Sequence, residues 1–178
     1  MMQSSSAWEW GDLYVKAYGG ALAAGHVTYS GITTDDLEAG SFIGGAIGAN
    51  AGIENFSLEL DVTSSSAKRV GADAYLNVQT LMVNGVIDLP LADRFSIYGG
   101  AGLGLIRAEL AGSGTASGVG FGGQAFAGVA FAPAENIAIF GEGRLQAPLG
   151  GVTVDDGSSP FPIDFTRSAV VVGVKFGL

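Results

Sequence analysis

Along most of the chain, apolar and polar side chains alternate with a period of two, the repeat of a strand whose faces meet different surroundings. The clearest run is 56–62, where Phe56, Leu58, Leu60 and Val62 share one face and Ser57, Glu59 and Asp61 the other. The pattern predicts eight strands, at about 12–23, 41–51, 55–64, 77–89, 95–108, 117–131, 137–147 and 167–177. Short connections at 52–54, 90–94 and 132–136 alternate strictly with long polar ones at about 24–40, 65–76, 109–116 and 148–166. Helical spacing is confined to a short stretch at 34–39. An even number of strands with alternating turns and loops describes an all-β, antiparallel up-and-down barrel, turns at one end and loops at the other. One domain over 1–178 is expected, with a tail at 1–10.

Composition decides which face looks inward. The face opposite the apolar one carries Gly100, Gly102, Gly104, Gly120, Gly122 and Gly128 and few charges. A water-facing surface would use Lys, Glu, Thr and Gln there, since Gly weakens a strand and adds nothing to solvation. Small residues do suit the inside of a narrow eight-stranded barrel. The expected arrangement is therefore inverted, with the apolar band turned to lipid. A closed barrel pairs every backbone N–H and C=O within the hydrocarbon. An Arg or Lys at mid-bilayer on that band would cost about 2–4 kcal/mol. The only outward base by this parity is Arg107, at the loop end of its strand. Trp8, Trp10, Phe95, Phe131 and Phe176 fall at the short-turn end, as an interfacial aromatic girdle would.

The totals agree. Apolar residues make up 48% of the chain and charged ones 14%, which excludes a disordered chain. Gly is abundant without a collagen period, and no apolar run is long enough for a helical span. A net charge of -9 argues against nucleic acid, and the absence of Cys removes disulfides and thiolate chemistry. The first residues lack the basic and apolar regions of a secretory signal, so an exported form is numbered here as a processed chain with an added Met.

Three stretches carry a family likeness: Leu13-Tyr14-Val15-Lys16-Ala17-Tyr18-Gly19-Gly20, Phe95-Ser96-Ile97-Tyr98-Gly99-Gly100-Ala101-Gly102-Leu103-Gly104, and the closing Val170-Val171-Val172-Gly173-Val174-Lys175-Phe176-Gly177-Leu178. In these the chain resembles the eight-stranded outer-membrane barrels of Gram-negative bacteria, the OmpA-like and Opa-like domains. The resemblance implies a monomer in the outer membrane, in contact with bilayer lipid and lipopolysaccharide. It also implies insertion by the barrel-assembly machinery, which reads a terminal aromatic; Phe176 fits, with two residues after it. The implied function is structural and non-catalytic: envelope integrity, and surface contact with a host or other ligand through the long loops. Two alternatives stay open, a narrow pore for small molecules and a lipid A-modifying enzyme.

The inward face carries candidate chemistry. Lys16, Glu59, Asp61, Asp88, Glu142, Arg144 and Lys175 nearly balance in charge and are expected to pair, as a polar plug or as a gate. Glu142 is expected to contact Arg144 on its own strand, Lys175 on the next or Lys16 beyond it. The one histidine, His26, sits where the first strand ends, and no motif builds a triad around it. Asp35, Asp36, Glu38, Asp155, Asp156 and Asp164 are loop acids without an EF-hand spacing. Lys68 and Arg69 are an adjacent basic pair placed to meet a lipid A phosphate. No cofactor, metal or catalytic residue is expected.

Overall fold

The computed structural model describes residues 13–29, 33–71, 73–112, 114–155, 157 and 159–178, with the backbone alone at 26, 29 and 33–35. The tail at 1–10, and with it Trp8 and Trp10, lies outside the described residues. Among the described residues every regular element is a strand: β1 (Leu13–Leu22), β2 (Gly25–Tyr29), β3 (Thr33–Leu37), β4 (Gly40–Ile53), β5 (Phe56–Lys68), β6 (Tyr75–Ala92), β7 (Phe95–Ala111), β8 (Thr115–Ala134), β9 (Ile137–Pro148), β10 (Val152–Val154), β11 (Phe161–Phe165) and β12 (Arg167–Gly177). Eight of them close an antiparallel barrel in the order β1-β12-β9-β8-β7-β6-β5-β4.

The expected orientation is the observed one. Val170 on the outer face is 69% exposed, whereas Glu59 on the inner face is 1% exposed. The outward belt has a sharp upper edge. Ile43, Val62, Leu81, Leu105, Val119 and Val170 are followed, two residues further up, by Ser41, Ser64, Gln79, Arg107, Ser117 and Ser168. From Phe95 to Leu105 the rise is about 25 Å along the barrel axis at ordinary strand rise and tilt, the height of a lipid-facing belt. At the lower edge Phe95 and Phe131 are register partners with ring centroids 4.8 Å apart, and Phe176 is 39% exposed. Turns at that end are two residues long: Glu54-Asn55, Asp93-Arg94 and Glu135-Asn136. Asn55 adopts φ 60°, one of the few side chains that tolerates it.

The inward glycines have a direct reason. A Cβ on Gly44 would strike the Tyr18 ring, one on Gly48 the Tyr14 ring, and one on Gly100 the Phe126 ring. The lumen is filled by aromatic rings from some strands because others offer no side chain at those heights.

The long connections depart from expectation. The stretch at 34–39 is not helical but falls largely in β3, paired with β2. Segments 24–40 and 148–166 together build a second, four-stranded sheet, β10-β11-β2-β3. Its two edges dock on the barrel wall. Glu38 N donates to Lys68 O at 2.8 Å and Val70 N to Asp36 O at 2.9 Å, while Ser117 and Asp155 exchange both backbone bonds at 3.0 and 3.1 Å. Pairing therefore runs a full circuit above the belt, through β5, β6, β7, β8, β10, β11, β2, β3 and back to β5. The physical reason is the same as in the barrel: strand groups that would otherwise form open edges find partners. Beneath this collar Val27, Leu37, Val152, Val154, Ile163 and Phe165 pack in one buried apolar cluster with Leu22, Leu76, Val78 and Ile106.

Candidate functional site

The polar interior lies between the short-turn mouth and the apolar cluster under the collar. At the mouth Lys175 Nζ stands 3.8 Å from Asp88 Oδ2 and 4.0 Å from the centroid of the Tyr14 ring. Deeper in, Lys16 Nζ pairs with Glu59 Oε2 at 2.7 Å, and Tyr14 Oη donates to the same oxygen at 3.2 Å. The Lys16 ammonium also lies within 6 Å of the ring centroids of Tyr14, Tyr98, Phe126 and Phe140, close enough for the ring faces to attract it.

Arg144 occupies the next layer. Its Nε donates to Glu142 Oε1 at 2.7 Å and its Nη1 to both oxygens of Asp61 at 3.0 Å. The register places β9 and β5 on opposite sides of the eight-stranded ring, so the Arg144–Asp61 pair spans the lumen. Tyr18 Oη donates to Asp61 Oδ2 at 2.6 Å and accepts from Arg144 Nη1 at 2.8 Å; Tyr98 Oη donates to Glu142 Oε2 at 3.1 Å. The guanidinium lies 4.8 and 4.9 Å from the Tyr18 and Phe126 ring centroids. Asp61, Glu142 and Arg144 are all buried. Burying charges so far from water is costly unless they are paired and hydrogen-bonded, as these are.

A second chain of bonds climbs the wall. Asn84 Nδ2 donates to Glu59 Oε1 at 3.5 Å, Gln124 Nε2 to Asn84 Oδ1 at 2.7 Å, and Gln146 Nε2 to Gln124 Oε1 at 2.7 Å. Arg167 Nη2 then donates to Gln146 Oε1 at 2.6 Å, and its Nη1 contacts Ser65 Oγ, which returns the chain to β5. Among the described residues no carboxylate pairs with Arg167, and its buried Nε has no partner.

The structure thus brings all seven inward charges into the lumen, though Asp88 keeps a quarter of its side chain exposed. Glu142 meets Arg144; Lys16 and Lys175 go to Glu59 and Asp88 instead. Three things were not singled out in the sequence: Arg167, the Asn84–Gln124–Gln146 relay and the aromatic layer. All share the inward parity, and that parity is the signal that finds them. His26 lies on β2, where the side chain is not described, and so does Asp35 on β3. Asp156 lies outside the described residues, and Asp36, Glu38, Asp155 and Asp164 are exposed. Among the described residues no three His, Cys, Asp or Glu side chains converge on a metal position. Lys68 is already engaged: Asp73 accepts from it at 3.1 Å and holds its ammonium above the ordinary lysine range.

A family model, the outer membrane protein beta-barrel domain, matches residues 1–176. The chain belongs to this family. No curated protein sequence matches the chain. Among solved structures, Neisserial surface protein A is similar over 94% of this chain and 98% of its own, at 20% identity and TM-score 0.68. Ail, the attachment invasion locus protein of Yersinia pestis, covers 93% of this chain and 99% of its own, at 14% identity and TM-score 0.54. OprG, an outer membrane protein of Pseudomonas aeruginosa, covers 94% and 96%, at 12% identity and TM-score 0.55. At these identities the likeness is one of fold. The closed barrel, its lipid-facing belt and the family place the chain in the bacterial outer membrane.

Proposed function

We propose that the chain is a sealed, non-catalytic barrel that strengthens the outer membrane and presents its collar to the outside, where a host or surface ligand is met. The observation that carries this reading is the Arg144–Asp61 pair across the lumen, backed by the aromatic layer and by the apolar cluster under the collar. Together they support the reading of the buried charges as a structural plug that fills the lumen. An active site would need a nucleophile or acid facing substrate, whereas the lumen acids face partners within the barrel. Phe176, on the outward face near the end of β12, is the aromatic residue offered to the assembly machinery. Planar-bilayer recording tests the reading. The purified protein should insert without stepwise conductance, and incubation with lipid A should leave the mass of the lipid unchanged. Ohmic steps from the unaltered protein, or a shifted lipid A mass, would overturn it.

A further inference from the structure

We propose that the lumen holds a small monovalent anion, of the size of chloride, beside Arg167 in the layer above the Arg144–Asp61 pair. This rests on the reading of the lumen as a plug and adds an ion to that plug. Arg167 is 6% exposed, and among the described residues no carboxylate meets it. The four inward acids are engaged lower down. Glu59 pairs with Lys16, Asp88 with Lys175, and Asp61 and Glu142 both with Arg144. The layer of Arg167 is therefore locally cationic, although charge over the whole lumen balances. A buried charge is costly unless a counter-charge stands beside it.

Hydrogen bonding points the same way, because the acceptors around Arg167 are already engaged. Gln146 Oε1 accepts from Arg167 Nη2 at 2.6 Å, and Ser65 Oγ accepts from Nη1. Gln124 Oε1 accepts from Gln146 Nε2 and Asn84 Oδ1 from Gln124 Nε2, each at 2.7 Å. Donors are left over. Arg167 Nε is buried without a partner, and so is Nη2 of Arg144, one inward step lower on the adjoining strand. Thr63 and Thr80 share a bond of 2.6 Å that uses only one of their two hydroxyl hydrogens. A layer with donors to spare and no carboxylate suits an anion; a water would satisfy the donors and leave the charge unmatched. Between the two arginines the inward residue of β12 is Ala169, whose methyl group fills little of the lumen. One unmatched charge calls for a monovalent ion. The apolar cluster above and the aromatic layer below call for a small one.

The test is equilibrium urea unfolding of the whole chain in dimyristoyl phosphatidylcholine vesicles, with chloride exchanged for gluconate at constant ionic strength. An ion bound only by the folded state stabilises it by mass action. Between about 1 mM and about 1 M chloride, each tenfold rise above the dissociation constant should raise the folding constant about tenfold. Arg167→Gln should lose this dependence, whereas Lys68→Gln, outside the lumen, should keep it. A second measurement needs no variant and decides the matter should Arg167→Gln fail to fold. Anomalous diffraction from crystals of the unaltered protein grown in bromide should place a peak within hydrogen-bond reach of Arg167 Nε. A folding constant indifferent to chloride, an equal dependence in Arg167→Gln, or no bromide beside Arg167 would each overturn the proposal. Conductance of the unaltered protein reads the sealed-barrel proposal separately.

Discussion

Replacing Arg144 with Met keeps the volume of the side chain and removes its charge. The structure gives the consequence. Arg144 is the only cation paired with Asp61 and Glu142 among the described residues, and both carboxylates have side chains with no exposure at all. Tyr18 and Tyr98 still donate one bond to each, but a phenol cannot neutralise a carboxylate. Breaking a buried pair by removing one partner costs about 3–5 kcal/mol. Because one guanidinium serves both acids, the two losses are not independent, and the expected cost stays within that single range. Removing all three charges together should behave differently. Asp61→Asn and Glu142→Gln combined with Arg144→Met leave amides that still accept from Tyr18 and Tyr98, so most of the loss should be recovered. The assay is urea unfolding in lipid vesicles, with the folded fraction read from gel mobility before and after heating. A single variant within about 1 kcal/mol of the unaltered protein would refute the reasoning, since a stranded buried charge costs more than that. A triple variant no more stable than the single one would refute it as well.

Arg167→Gln should cost only about 1–1.5 kcal/mol in the same assay, because it forfeits hydrogen bonds to Gln146 and Ser65 without stranding a carboxylate; a loss as large as that of Arg144→Met would contradict this. Gly100→Ala should destabilise the barrel by about 1–3 kcal/mol, as its Cβ would meet the Phe126 ring. Gly143→Ala, which faces open space, should stabilise it by about 0.5–1 kcal/mol; unfolding midpoints that fail to move in opposite directions would reject this pair of expectations. On the outer face, Val172→Arg should cost about 2–4 kcal/mol in vesicles and Ser168→Arg about 0–1 kcal/mol, and equal costs would place the belt edge elsewhere.

The barrel was legible in the sequence because its two solvents impose opposite demands on successive residues. Ile139, Glu142, Arg144 and Leu145 show this within one strand: their parity alone separates lipid from lumen, and the structure agrees at each. Even Met82 and Val86, which break the polar pattern of β6, sit inside as parity requires. The collar was not legible. Its strands are three to five residues long, too short for a period of two to stand out from the Gly, Ser, Thr and Asp around them. Thr33–Leu37 is the clearest case. Its local spacing suggests a helix, yet pairing with β2 on one side and the bridge from Leu37 to Arg69 on the other make it a strand. Tertiary partners, which lie far off in sequence, override so short a signal.

The candidate site shows the same limit from within the lumen. Parity assigns Arg144 and Arg167 to one interior and cannot tell them apart. Their difference comes from height and from what lies across the barrel. Arg144 stands level with Asp61 on the opposite wall, while Arg167 is the register partner of Gln146, one layer higher, where it meets Ser65, the amide chain and the Phe165 ring. The inward acids and bases balance at four each once Arg167 is counted, yet two of the acids gather on Arg144 and none on Arg167. Charge count is therefore a property of the whole lumen and pairing a property of the register between distant strands. Sequence carries the first directly and the second only through the closure of the barrel.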